Sequence, residues 1–344
     1  MQAVILAAGR STRTYPLTIN KPKPLLKAAN KTLLEHNLGN IQDFVGEIII
    51  VVGYKKNMIK DFIKSKYKKL KIIYVEQKYQ LGTANALLIT KPYIKNRFLL
   101  MAGDDIYSKE DIKKCIKYRY AVLTSKASNP NNFGVILEKN NILTDFIEKP
   151  DHFVSNIVNT SFYCLDKKIF KFLSRIKKSE RNEFELPDAI KLLSKEDDIY
   201  CIRSGKWLPI SYPWDLLKAD KALRKNKNSI GKNSRIYGKL TNSSIGDNCL
   251  IKGTVRNSIV MDNTFIDEGS FIEDSVLGEN VYFKGTIKSQ KNVHLAANNK
   301  KAKISKFGAI IGDNSKLFNV SVAAGCVIFN DKAAKNAHIK HSIL

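Results

Sequence analysis

The 344-residue sequence lacks any apolar run near the roughly 20 residues that a membrane-spanning helix needs. No membrane association is expected. The opening MQAVILAAGR breaks its apolar stretch too early for a signal peptide. Cysteine is scarce: Cys115, Cys164, Cys201, Cys249 and Cys326 are odd in number and far apart. That spacing gives neither a disulfide framework nor a zinc site and fits a reducing compartment, so a cytoplasmic location is expected. Arginine is scarce too, at ten of the 58 basic residues. The lysines are spread along the whole chain, whereas a nucleic-acid surface gathers its charge into a stripe with interleaved aromatics. The formal net charge of +26 is therefore read as solvated decoration with no nucleic-acid partner. Its field would still draw in a triphosphate.

Up to about residue 225, short apolar runs alternate with amphipathic stretches. Ala3–Ala7, Ile48–Val52, Ile72–Glu76 and Phe98–Ala102 are continuous aliphatic runs, the signature of strands buried on both faces. Thr32–Leu38, Met58–Tyr67 and Thr83–Ile89 carry apolar residues at helical spacing. This alternation predicts an α/β domain with a mostly parallel sheet, whose ligands bind beyond the carboxyl ends of the strands. Pro213-Trp-Asp opens a last helix through about Arg224, with proline placed in its first turn. The texture then changes. Ile230-Gly-Lys-Asn, Ile245-Gly-Asp-Asn, Leu277-Gly-Glu-Asn and Ile311-Gly-Asp-Asn repeat an aliphatic position before a polar turn. Such a repeat fits a parallel β-helix, each rung burying its inward residue against the next. Two domains are expected, 1–225 and 226–344, with KNKNS at Lys225–Ser229 as the linker.

Chemistry-bearing residues follow the strands. Leu6-Ala-Ala-Gly-Arg-Ser-Thr-Arg13 runs from a strand into a glycine-containing loop, where backbone N–H groups can approach an anion. Arg13 and Lys23 add a fork and a point charge for phosphate oxygens. The P-loop pattern GxxxxGK[ST] is absent. After the strand ending at Glu76 come Gln77-Lys-Tyr-Gln-Leu-Gly-Thr-Ala, a turn entering a helix with Thr83 as a candidate cap. After Phe98–Ala102 comes Gly-Asp-Asp, where Asp104 offers the hard oxygen that Mg²⁺ prefers. Adjacent strand residues point to opposite sides, so Asp104 and Asp105 are not both expected to reach a metal.

Leu6–Pro24, read as LAAGRSTR…PLT…PKP, resembles the signature of the nucleotidyltransferases that activate sugar 1-phosphates. The resemblance extends to Gln77–Ala86, to Gly103-Asp104, and more loosely to Phe133-Gly134, Glu148-Lys149-Pro150, Val158-Asn159-Thr160 and Glu185–Ile190. It implies a Rossmann-like catalytic domain followed by a left-handed β-helix of hexapeptide repeats. It further implies that a pyrimidine nucleoside triphosphate (UTP or dTTP) and a sugar 1-phosphate give a nucleotide sugar and pyrophosphate with Mg²⁺. Leu6, Ala7, Ala8, Gly9, Gln77, Gly82 and Thr83 are then expected to line the nucleotide, with Gln77 reading the base. Gly134, Glu148, Lys149 and Asn159 are expected to hold the sugar phosphate, Asp104 the metal, and Arg13 and Lys23 the reacting phosphates.

Two positions depart from the family pattern. Ser11 occupies the second glycine of the signature, where its Cβ penalises positive φ. Trp207-Leu-Pro-Ile-Ser puts Pro209 where relatives hold a second metal aspartate. Asp215 remains nearby, but a helix start already accounts for it. A weakened regulatory or structural paralogue is the alternative that these departures suggest. An amino-sugar-1-phosphate acetyltransferase on the β-helix is another, because several archaeal-type relatives pair the two activities. That chemistry uses a histidine base, and Asp313 stands in the matching stretch here. The β-helix is expected to serve as a scaffold for a homo-oligomer, with Ile251, Ile259 and Phe271 as candidates for the intersubunit patch.

Overall fold

The computed structural model describes residues 1–67, 70–297 and 300–344. The chain forms two compact units: Met1–Gly9 with Leu34–Pro209, and Arg10–Leu33 with Ile210–Leu344.

The first unit is an α/β sheet domain. Its strands are β1 (Gln2–Ala7), β2 (Glu47–Val52), β3 (Ile72–Glu76), β4 (Phe98–Ala102), β5 (Ala121–Lys126), β6 (Gly134–Lys139), β7 (Ile142–Glu148), β8 (Ile157–Leu165) and β9 (Tyr200–Arg203). They form one nine-stranded sheet in the order β3-β2-β1-β4-β8-β5-β9-β7-β6. Four strands, β3-β2-β1-β4, run parallel, and these are the aliphatic runs read from the sequence. Beyond β4 the sheet is mixed: β8 is antiparallel to both β4 and β5, β9 is parallel to β5, and β6–β7 is an antiparallel pair. Every residue of β2 is buried, as a strand covered on both faces requires. Helices α1 (Leu33–Ile41), α2 (Lys56–Lys66), α3 (Thr83–Leu88), α4 (Lys109–Cys115), α5 (Ile169–Leu173) and α6 (Leu186–Leu193) accompany the strands. One hydrophobic cluster, including Val4, Val51, Leu87, Leu100 and Ile190, joins the sheet to α3, α5 and α6.

The second unit contains α7 (Pro213–Arg224) and the β-helix. Its two-residue and three-residue strands stack in parallel register. Ser229 lies beside Ser244, Ser244 beside Ile259, Ile259 beside Val276, Val276 beside Ile310, and Ile310 beside Val327. Successive coils advance by 15, then 17 residues, and once by 34. The long step contains an antiparallel hairpin, Gln290–Ala297 with Lys300–Phe307. Inward aliphatics such as Ile245, Ile251, Ile266, Leu277 and Ile311 form the core.

The repeated turn now has a physical reason for each residue. Asn248, Asn263, Asn280 and Asn314 all take positive φ, which asparagine tolerates better than most residues. Their amides also bond along the coil, Asn248 Nδ2 to Asn263 Oδ1 at 3.2 Å and Asn280 Nδ2 to Asn314 Oδ1 at 3.0 Å. Two of the patch candidates fail: Ile251 is 0% and Ile259 3% exposed. Ile251 fills the interior of the coil, where Val260 rather than Ile259 is the inward residue of its rung. Tyr237 and Phe318 are the exposed aromatics of the coil.

Candidate functional site

In the sheet unit, the expected nucleotide residues lie at the carboxyl ends of β1 and β3, in the parallel half of the sheet. Leu6 and Ala7 end β1, and Ala8-Gly9 follow. Gln80, in the segment after β3, donates its Nε2 hydrogen to the Ala8 carbonyl at 3.2 Å. Gln77 is 7% exposed. Its amide nitrogen donates to the Gly82 carbonyl at 3.1 Å and to Asn85 Oδ1 at 3.0 Å. With both N–H donors engaged, the carbonyl oxygen is what Gln77 can offer a base.

Gly82 caps α3 at φ +97°, where a Cβ would meet the Phe184 carbonyl at 2.4 Å. The same stretch is zipped to the Glu185 segment: Ala84 N donates to Phe184 O at 3.0 Å, and Phe184 N to Leu81 O at 2.9 Å. Thr83 is not the cap that the sequence suggested. Its hydroxyl accepts the Leu186 N–H at 3.1 Å, tying α3 to α6 instead. Asp104 follows β4, which lies beside β1 with Leu6 opposite Ala102, and its side chain is half-buried. Its neighbour Asp105 is turned to Trp207, whose indole nitrogen donates to Asp105 Oδ2 at 3.2 Å. Both aspartates lie past the end of β4, so strand alternation does not govern which way they face.

The expected sugar residues lie on the mixed half of the same sheet. Gly134 on β6 pairs with Glu148 on β7, and a Cβ at 134 would meet Glu148 Oε2 at 2.7 Å. The glycine leaves room for that carboxylate. Glu148 Oε1 is 3.4 Å from the Lys149 ammonium and 3.3 Å from the Arg181 guanidinium, which also holds Glu185 at 2.7 Å. Burial and the charges of Glu185 and Glu148 push the Asp188 carboxyl above its usual range. Asn159 on β8 is 8% exposed, and its Oδ1 accepts the Ser161 N–H at 2.9 Å across a bulge where Ser161 takes φ +61°. Arg181 escaped the sequence reading. Its only local signal is the i,i+4 spacing to Glu185.

Arg13 and Lys23 belong to the other compact unit. Arg13 is exposed in a short 3₁₀ turn, Thr12–Thr14, while Lys23 is 5% exposed between Pro22 and Pro24. Ser11 has φ 52° and ψ 46°, the left-handed conformation that explains a glycine in relatives. Its carbonyl accepts the hydroxyls of Thr14 at 2.7 Å and Thr18 at 2.9 Å. Asp215 starts α7: one oxygen accepts the Ser211 and Tyr212 N–H groups at 3.0 and 2.9 Å. Burial nevertheless raises its pKa, opposed by those two bonds and by the charges of Lys218 and Lys23. Asp313 is 3% exposed and accepts the Glu279 N–H at 2.9 Å, which is a turn-closing role. His294 and His338 are exposed on the coil.

Residues 2–226 match the family model described as nucleotidyl transferase. Residues 227–321 match the one described as GlmU-like, C-terminal hexapeptide. A bifunctional protein GlmU of Methanococcus vannielii is 39% identical over 92% of this chain and 89% of its own length. That of Methanocaldococcus jannaschii is 42% identical over 65% of this chain, and the match spans only 54% of that relative. The UTP–glucose-1-phosphate uridylyltransferase AglF of Haloferax volcanii is 35% identical over 65% of this chain and 97% of its own. A solved UDP-glucose pyrophosphorylase complexed with UDP-glucose shares the fold, with a TM-score of 0.59 at 24% identity, over 65% of this chain and 98% of that one.

Proposed function

Because the chain belongs to the nucleotidyl transferase family, we propose that it joins a pyrimidine nucleoside triphosphate to a sugar 1-phosphate, releasing pyrophosphate. The observation that carries this reading is that Ala8, Gln77 and Asp104 follow strands β1, β3 and β4 of the four-stranded parallel half of the sheet, while the other half carries Glu148, Lys149 and Asn159. The carbonyl of Gln77 suits the N3–H of uracil or thymine, the donor that a pyrimidine triphosphate of this kind offers. Backbone N–H groups of the Ala8-Gly9 loop suit the phosphates. Glu148 and Asn159 suit sugar hydroxyls, and Lys149 with Arg181 suits the sugar phosphate.

In this reaction a sugar-phosphate oxygen attacks the α-phosphorus in line and pyrophosphate leaves, so the protein supplies no nucleophile. Arg13 and Lys23 neutralise charge that develops on the phosphates, and the sheet-end residues hold the two substrates in line. Among the described residues no group of three or more His, Cys, Asp or Glu could hold a metal ion alone. A half-buried carboxylate at a strand end still fits Mg²⁺, which takes phosphate oxygens and waters for the rest of its shell. Asp104 would hold it, and the ion would supply charge neutralisation between the triphosphate oxygens.

Pyrophosphate release with a panel of nucleoside triphosphates and sugar 1-phosphates tests the proposal. Turnover with UTP or dTTP is expected; none with any pair would leave the paralogue reading. The relatives named bifunctional raise the acetyltransferase reading, which acetyl-CoA consumption with an amino-sugar 1-phosphate checks directly. With Asp313 used in a turn, no consumption is expected. The β-helix is read as a scaffold for a homo-oligomer, for which light scattering at micromolar concentration should give more than a monomer mass.

A further inference from the structure

The segment that carries Arg13 and Lys23 is fastened to the β-helix by a specific set of contacts, all within the unit formed by Arg10–Leu33 and Ile210–Leu344. Each turn aspartate of the coil has two faces. Asp247 Oδ1 accepts the Lys232 N–H at 2.7 Å, and Asp262 Oδ1 accepts the Asp247 N–H at 2.8 Å, which closes the rungs. Their other oxygens reach outward to one ammonium: Lys27 Nζ lies 2.6 Å from Asp262 Oδ2 and 3.2 Å from Asp247 Oδ2. Lys21 repeats the device two coils along, pairing with Glu279 and lying 3.7 Å from Asp313. Between these anchors stands Lys23, flanked by prolines that fix φ. Leu26 N–H donates to its carbonyl at 2.9 Å.

Just beyond Lys27, the Ala29 N–H donates to Asp220 Oδ1 at 2.8 Å, and Asn30 Nδ2 to the Ile245 carbonyl at 2.8 Å. Asp220 is itself locked by Arg224 at 2.6 Å and by the Ser244 hydroxyl at 2.5 Å. Burial opposes the charge on Lys27, yet Asp262 and Asp247 outweigh it and raise its pKa.

We propose that Lys27 is a positioning residue for nucleotidyl transfer: the carboxylate column of the β-helix holds the Lys21–Lys27 span so that Lys23 is set for the triphosphate. The inference rests on the function proposed above for Lys23. Lysine on a column of two carboxylates holds a span by charge and hydrogen bonds together, whereas an aliphatic replacement leaves two adjacent anions facing each other without a counter-ion.

The test compares the full-length parent with Lys27→Met, Lys27→Arg and the charge exchange Lys27→Asp with Asp262→Lys. Lys27→Met should raise KM for the triphosphate about tenfold or more and leave KM for the sugar 1-phosphate within about twofold. Lys27→Arg should restore most of the loss. Amide hydrogen exchange should quicken over residues 12–26 in Lys27→Met and stay unchanged in the rungs from Ser244 to Ile287. Partial recovery in the charge exchange would support the pairing. Unchanged triphosphate KM and unchanged exchange in Lys27→Met would overturn the inference, as would an equal rise in both KM values. An inactive parent would instead defeat the functional reading. The exchange measurement still decides in that case whether the column holds the span.

Discussion

Asp104 and Asp313 stand in the same local sequence, a buried aliphatic run followed by Gly-Asp, in two regions of the molecule that use it differently. Asp104 follows β4 and is half-buried at the sheet's carboxyl end. Asp313 is 3% exposed, with one oxygen on the Glu279 N–H and the other 3.7 Å from Lys21. The difference lies in what comes next in space. Beyond a parallel strand's end the sheet stops, and in such folds that is where ligands bind. In a coil the next rung sits directly above, and a carboxylate is drawn into closing it. Asparagine serves architecture in both regions: Asn159 braces a bulge in the sheet, while Asn280 and Asn314 bond to each other along the coil.

The comparison breaks most sharply at the two aspartates. Asp104→Ala is expected to lower Mg²⁺-dependent turnover by on the order of a few hundredfold, about 3 kcal/mol of transition-state stabilisation. Its thermal midpoint should stay that of the parent, because the side chain packs in no core. Parent-like turnover at saturating Mg²⁺ would remove Asp104 from the metal role. The coil should show the reverse. A Cβ on Gly312 would meet Asn330 Oδ1 at 2.3 Å and Asn330 N at 2.7 Å. Gly312→Ala should therefore destabilise the coil by roughly 1–3 kcal/mol through overpacking, read as an earlier denaturant midpoint. Turnover per folded molecule should persist. An unchanged midpoint would mean that the rungs separate easily to admit the methyl.

Ser11 sharpens the comparison from the other side, as a strained residue in the segment proposed to meet the phosphates. Its φ of 52° costs a serine about 1 kcal/mol relative to the same conformation in glycine. Ser11→Gly should raise folding stability by at most about that amount, since glycine also gains freedom in the unfolded chain. A loss of stability would show that the hydroxyl or Cβ of Ser11 makes a compensating contact.

Much of this was legible from the residues, and the reasons differ by region. β1, β2, β3 and β4 announced themselves because a strand buried on both faces is aliphatic throughout. The coil did so because Ile-Gly-Asp-Asn recurs in one phase. The antiparallel pairing of β8 was not legible, since hydrophobic pattern fixes burial and says nothing of strand direction. Nor was the allegiance of Arg10–Leu33, whose contacts join Lys27 to partners 220 and 235 positions away. The misplacement of Ile251 and Ile259 has the same root: rung interiors and rung exteriors are both aliphatic in so short a strand. Thr83 was read as a cap from its position alone, while a residue more than a hundred positions later claimed its hydroxyl.

The smallest effect is expected where a second metal carboxylate would have to be found. Pro209 stands where the family pattern that the sequence resembles has an aspartate, and Asp215 is the nearest acid in the sequence. Asp215 spends one oxygen on the Ser211 and Tyr212 N–H groups, a helix-start contact that an amide oxygen can also make. Burial raises its pKa, so the folded state binds a proton more readily than the unfolded chain does. The sign then follows. Above the carboxylate range its ionised form is held at a cost, and this cost fades as pH falls toward and below 3.8. Asp215→Asn should therefore leave turnover and its Mg²⁺ requirement within about twofold of the parent. Its stability at neutral pH should equal or slightly exceed the parent's, since the lost helix-dipole interaction, typically about 0.3–1 kcal/mol, is offset by the relieved burial of charge. The two denaturation midpoints should converge in acid. If activity instead collapsed in Asp215→Asn and returned only at high Mg²⁺, Asp215 would be the second metal ligand.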